Sequence, residues 1–509
     1  MGNARNTVAY FKKQVAEKTA VVPTSNVDGY LSIEKPDVTT GQRELLESEL
    51  LSGSIGVKKP QLGMETASAS VTTEVRSHGD TSLPTEPDFG ILLESAIGTP
   101  NISVAESVSA TPAPSTSEFG FSTEGNIKRY DLLIISNATD GRVARFAESM
   151  KLDVLTGAND AIDFNEGAAE LNATLSAGTY LHGGSAVSGS IGEEIKTQLE
   201  AAGANTYTVD YAEQANGSYK YTITSDGTFS LLIATGTNTA NAFLKLNLGF
   251  GAADLTGALT YEAASAIHGN RVVCNIAMTN APTAADVINA TVNYKPLNEG
   301  HAHFTSGFYQ ANSDVDGYFE QLIGCLVSSM SITVETGVVA KFAFEMQALE
   351  AVRTALTKAS HIPSYEDEQG LVGFNVETYL GSSLIDANNL EISVEDEVSE
   401  KKSFKEASGK VGSIVRKRTI TGTVNPYADG SVDLYNALNN LTDYKMMVVI
   451  GAKDAGGFIL GKTVAFFMPQ IMITQTKTGD IDDNMIEELN FSAHTGSSGN
   501  KLEFVASFG

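Results

Sequence analysis

Tryptophan is absent from the 509 residues, and cysteine occurs only twice, at Cys274 and Cys325. Two cysteines cannot form the disulfide framework that staples small secreted domains, and neither stands in a metal or redox spacing. Both read as buried, reduced packing residues. Long apolar runs are missing too. Stretches such as Met446 to Ile450 fall far short of the ~20 residues a membrane helix needs, which argues against a membrane-spanning chain. The amino terminus, MGNARNTVAYFKKQVAEK, has no apolar h-region of the kind a secretory signal carries. Gly2 suggests myristoylation, but Asn6 stands where that motif needs Ser or Thr.

Positive charge is also scarce: 34 basic against 61 acidic residues leave a net charge of −27. A chain this acidic does not hold nucleic acid by neutralising phosphates. The charge suits either solubility at high concentration or a surface that must face DNA without gripping it.

The 509 residues suffice for about three units of roughly 100–200 residues, and an apolar share of 42% is that of a globular chain. Residues 1–26 read as an amino-terminal arm. Residues 27–150 mix short strands, a helix and an extended connector, VSATPAPSTS, near Ser107–Ser117. Residues 151–265 read as a self-contained α+β insert. In it Ile191, Ile195 and Leu199 recur at helical spacing, and Gly203 stands where the helix should stop. Asn216-Gly217 and Asp226-Gly227 then separate YTVDYAEQ, YKYTIT and TFSLLI, which predicts a three-stranded meander.

Residues 266–509 are mostly strand. Ser331–Glu335 (SITVE) puts Ile332 and Val334 on one face, and Glu391–Glu395 (EISVE) repeats the pattern, which hints at an internal duplication. KFAFEM, RTITGTV, AFFMPQIMITQ and KLEFVASFG also suit strands. One helix is expected over SVDLYNALNNL, with Leu434, Leu438 and Leu441 on one side. Ser399–Ser413 (SEKKSFKEASGKVGS) is expected as a long polar loop, of more use to a polymer than to a compact single domain.

No motif argues for catalysis or a cofactor. His301 and His303 share one face of a possible strand, but no third metal ligand is suggested nearby. Ser313–Gly317 and Asp480–Asp483 resemble fragments of calcium loops, without the acidic series such loops need, and read as Asp-rich turns. Leu181–Ser185 lacks the strand–elbow–helix context of a hydrolase nucleophile. Phosphate loops and dinucleotide fingerprints are absent. The acidic run Glu391, Glu395, Asp396, Glu397 and Glu400 reads as a solvated strand face.

The order of features resembles the phage tail tube family. The carrying stretches are TSNVDGYLSIEKPDVTTGQRELLESELLSGSIG, KKPQLGMETASASVTTEVRSHG and PDFGILLESAIG, then IKRYDLLIISNATDGRVARF. The insert adds TGANDAIDFNEG, LEAAGANTYTVDY and LGFGAADLTG. GCLVSSMSITVETGVVAKFAFEM, NNLEISVEDEV, RTITGTVNP and FFMPQIMITQ are similar to the closing half of a tube core. The resemblance spans nearly all residues after about 25.

It implies a mainly β protein: a sandwich or barrel core (27–150 with 266–509) with one or two flanking helices. Subunits would form six-membered rings around a continuous β-barrel, and the rings would stack head to tail into a hollow conduit for DNA. Tape-measure, baseplate or tail-tip and tail terminator proteins would be partners, and a sheath would be one if the tail contracts. The protein would be made in the bacterial cytoplasm and reside in the virion. Glu335, Glu391 and Glu395 are then the expected lumen-facing acids. Lys401, Lys402, Phe404 and Lys405, with the arm, are the expected inter-ring contacts. An insert as large as 151–265 should project outward, which tilts toward a non-contractile tail. The alternatives are a tail terminator or other ring-forming virion protein, a flagellar or surface-layer subunit, and a glycan-cleaving enzyme. Neither terminus carries flagellin-like helices, and no site supports the enzyme.

Overall fold

The structure, a computed structural model of the chain, describes residues 8–23, 29–34, 36–46, 61–77, 85–121, 126–214, 218–297, 300–311, 317–355, 369–427, 438–481, 484–495 and 502–509. It is mainly β, with 58% strand and 7% helix. Two compact units divide it: Met1–Asn101 with Val292–Lys453 and Ile459–Gly509, and Ile102–Thr291 with Asp454–Phe458. The 151–265 segment lies wholly within the second unit.

The first unit is built on long two-faced strands. Gly317–Glu335 runs through two sheets. Its early residues pair with Phe304–Ala311 and Glu350–Ala355, its later ones with Lys341–Ala348 and Ala387–Lys402. Gly324, at φ +70°, stands near the changeover, where an added Cβ would lie 2.7 Å from Leu349. Only glycine takes that backbone shape without cost. The amino-terminal residues expected as an arm contribute the strand Val8–Lys13, which pairs with Phe304–Ala311 and buries Tyr10 and Phe11.

The larger sheet contains a doubled arrangement. Asp37–Leu46 pairs with Gln61–Glu74, which pairs with Lys341–Ala348, which pairs with Gly317–Glu335. Beside it, Ala387–Lys402 pairs with Lys410–Pro426, which pairs with Asn484–Ala493, which pairs with Gly457–Ile481. In both sets an early hairpin takes on the second strand of a later hairpin, so eight strands form two side-by-side repeats. Ile332 opposite Phe342 answers to Ile473 opposite Phe491.

The likeness of SITVE and EISVE has another origin. These two stretches are the neighbours that join the repeats, Ile332 pairing with Ile392. They look alike because both alternate between the same buried and polar faces. Ile332, Val334, Ile392 and Val394 are all buried.

Among the described residues of the second unit, two cores stand out. One gathers Phe119, Leu133, Ile135, Met150, Val272 and Ile288. The other packs helix Ile191–Ala202 on a five-stranded sheet through Ile195, Leu199, Tyr207, Tyr221 and Phe229. Ser190 caps that helix, its Oγ accepting the Glu193 amide at 3.1 Å. The expected meander differs. YKYTIT and the TFSL of TFSLLI are one continuous strand, Tyr219–Leu231, and the third strand is Leu255–Glu262. Asp226 does not turn the chain, because its carboxylate is held by the Thr206 amide at 2.9 Å and the irregularity becomes a register shift. Asn216-Gly217, most of Ser313–Gly317, Asp482-Asp483 and Ser431–Ala437 of the expected helix lie outside the described residues.

Candidate functional site

Alternation along the eight strands gives the larger sheet one buried and one polar face. Register lays the polar face out in rows. One row reads Asp37, Ser70, Glu345, Ser329, Glu395, Thr419. The next reads Thr72, Ala343, Ser331, Ser393, Thr421, Ser492, Met472. A third reads Glu74, Lys341, Thr333, Glu391, Thr423, Asn490, Gln475. Five acids and one base stand among them, and that base, Lys341, is bonded to Glu34. The rest are mostly small and hydroxylated. Within these rows such a surface holds water and is dominated by acids, while exposed Lys417 and Lys477, the latter beside Glu488, stand just beyond them.

Glu335, Glu391 and Glu395 all lie exposed on this face. Glu391 opposes Thr333, Glu395 opposes Ser329, and Glu335 opposes Asn389 one step further along. Gly422 lets the sheet close behind them. A Cβ there would sit 2.4 Å from the Phe491 ring and 2.5 Å from the Glu391 carbonyl oxygen.

The acidic run is not uniformly solvated, contrary to the expectation. Asp396 is buried, because it follows Ile392 and Val394 at two-residue steps and so falls on the buried face of the strand. Arg418 meets it at 3.0 Å, and Arg418 Nη2 donates to the carbonyls of Ala96 and Ile97 at 2.8 and 3.3 Å. These carbonyls end helix Gly90–Ala96, so Arg418 closes a helix carboxyl terminus and pairs a carboxylate at once. Burial outweighs the guanidinium and pushes the Asp396 carboxyl up to about 6. Alternation continued from Ile392 and Val394 places Asp396 on the buried face, but its charge and the acids on either side suggest a solvated run.

The long polar loop expected over Ser399–Ser413 is a hairpin. Pairing continues through Ser399↔Ile414, Glu400↔Ser413 and Lys402↔Lys410, leaving only a short turn. The strands persist because Lys410, almost fully buried, is neutralised by Glu400. Lys18 Nζ then donates to Glu406 at 2.8 Å, Ser408 Oγ at 3.1 Å and the Lys410 carbonyl at 2.8 Å. Lys18 holds a left-handed backbone, φ +63°, to do so. At the tip Lys401, Lys402, Phe404 and Lys405 are all exposed.

His301 and His303 do not converge. His301 Nδ1 lies 2.9 Å from the Ser95 carbonyl and its Nε2 3.4 Å from Arg418, whereas His303 meets Ser413 at 3.2 Å. Burial, then Arg418, lowers the pKa of His301, and burial lowers that of His303. Among the described residues no three His, Cys, Asp or Glu side chains gather as a metal site.

No curated protein matches the chain. A family model described as phage tail tube protein matches residues 4–493, so the tandem sheet and the segment between its halves both lie inside the match. The chain belongs to the phage tail tube protein family, structural components of the virion.

Proposed function

We propose that copies of this chain close into hexameric rings, joining their larger sheets edge to edge into a continuous barrel. Rings stack head to tail into the conduit through which double-stranded DNA leaves the capsid. The observation that carries this reading is the polar face, acidic and hydroxyl-rich over eight strands, with Lys341 neutralised by Glu34. Turned inward it lines the bore. Glu335, Glu391 and Glu395 repel phosphate, and the Ser and Thr rows hold a water layer over which DNA slides.

The hairpin tip supplies the contact to the next ring, since a fully exposed Phe404 among three lysines suits a partially acidic, apolar receiving surface. The 151–265 segment decorates the outside, which favours a non-contractile tail. A tape-measure protein sets tube length, a baseplate or tail tip starts the tube, and a terminator ends it. The subunit is made in the host cytoplasm and performs no catalysis.

The doubled four-strand repeat favours a second ring count, in which six repeats come from three chains. Negative-stain microscopy of concentrated protein, with and without tail extract as seed, tests both. Hollow tubes support the conduit, and end-on averages count external projections, one per chain. Single rings alone point to a terminator, and monomers under every condition overturn the reading.

A further inference from the structure

Among the described residues the larger sheet contains one complete junction between repeats and two open edges. Inside the chain the first repeat ends on Gly317–Glu335 and the second begins on Ala387–Lys402, with Ser329 opposite Glu395. The second repeat ends on Gly457–Ile481, whose Ile471–Ile481 stretch pairs only with Asn484–Ala493 among the described residues. The first repeat begins on Asp37–Leu46, which among the described residues pairs only with Gln61–Glu74, and the edge answering to Asn389–Glu395 is the chain leading into Asp37. Each open edge presents backbone N–H and C=O groups that another strand can pair.

Register fixes which residues answer to which. Ile332 opposite Phe342 matches Ile473 opposite Phe491, so Ser329 and Gln470 are equivalent, each three residues earlier. Thr73 opposite Phe342 matches Gly422 opposite Phe491, so Ser70 and Thr419 are equivalent. Asp37 opposes Ser70 and Glu395 opposes Thr419, which makes Asp37 the counterpart of Glu395.

We propose that the internal junction is the template for the junction between copies: Gln470 of one chain pairs opposite Asp37 of the next, as Ser329 pairs opposite Glu395. The proposal rests on the ring reading and gives it a register. The occupant of each edge is a second copy of this chain, because the chain already holds an instance of the contact between these two repeat ends. The register is also selected energetically. Each edge has its faces set within its own chain, Ile471 and Ile473 buried and Asp37 exposed, so a slip of one residue would oppose a buried-face residue to a polar-face one.

Two measurements decide it. The first places Asp37→Cys and Gln470→Cys in one full-length chain, assembles tubes and oxidises them. Opposed residues in paired strands lie about 4.5–5.5 Å apart, inside the span a disulfide bridges. Cys274 and Cys325 are buried and do not compete. A ladder of covalent multimers on a non-reducing gel is expected, and only dimers when the two single variants are mixed. Asp37→Cys with Thr474→Cys, displaced about 13 Å along the strand, should give no ladder. The second uses the unaltered chain, comparing amide exchange in monomer and tube. Residues around 470–475 and 32–37 should both slow by at least about tenfold on assembly. Tubes with neither cross-link nor protection overturn this junction while leaving the conduit standing. Failure to form tubes removes both.

Discussion

Ile332 and Ile392 stand directly opposite one another, both fully buried, at the junction of two four-stranded repeats. Their contact is the core side of the same strand pair whose other side carries Glu391 and Glu395. One pair of strands thus serves stability with one face and leaves the other to be shaped by what passes over it.

Truncating either isoleucine should therefore be costly to folding. Ile332→Ala and Ile392→Ala are each expected to destabilise the monomer by about 2–5 kcal/mol, through lost burial and the cavity left behind. Because the two touch, the double variant should cost less than the sum. Urea unfolding of the four proteins measures this, and strict additivity would mean that the strands do not pack as described.

Charge reversal on the other face should leave folding alone and change transport. Particles carrying Glu335→Lys, Glu391→Lys and Glu395→Lys together are expected to assemble and to release DNA several-fold more slowly, with the delay shrinking as salt rises. Ejection followed by fluorescence at two ionic strengths tests it. Wild-type kinetics at low salt would remove these residues from the bore.

The hairpin tip makes the opposite separation. Phe404→Ser with Lys401→Glu, Lys402→Glu and Lys405→Glu changes only exposed positions. Thermal unfolding of the monomer should shift by no more than about 2 °C, while tubes seen by electron microscopy are lost. Normal tubes would assign the ring-to-ring contact elsewhere. Lys18→Met should act from behind the same hairpin, removing three hydrogen bonds from its turn at a cost of about 1–2 kcal/mol. Faster amide exchange over residues 403–410 is the expected readout.

Asp396 should give the protein a pH signature. Its folded carboxyl, near pH 6, lies above the unfolded value of about 3.9, so the folded state holds the proton more tightly. The stabilisation this provides is full below the unfolded value and is lost as pH rises through about 6. Relative to Asp396→Asn, the native chain should lose about 1–3 kcal/mol between pH 4 and 7. Parallel urea curves for the two proteins would show that the carboxyl is not buried.

Much of this was legible in the chain itself. Alternation in SITVE, EISVE and KFAFEM determines two-faced strands, because side chains in an extended chain point to opposite sides at every step. Ile191, Ile195, Leu199 and Gly203 determine a helix and its end for the same kind of local reason. The polar faces carrying Glu335, Glu391 and Glu395 follow from that alternation without any structure.

What the sequence could not decide is which strands lie side by side. Pairing depends on contacts between residues tens or hundreds of positions apart, and alternation is blind to the partner. Only the tertiary structure shows that SITVE and EISVE are neighbours, that Ser399–Ser413 continues two strands, and that Asp226-Gly227 lies within one. Asp396 is the sharpest case. Alternation puts it on the buried face with Ile392 and Val394, but only the fold supplies Arg418, the arginine that pairs with it there and also closes a distant helix.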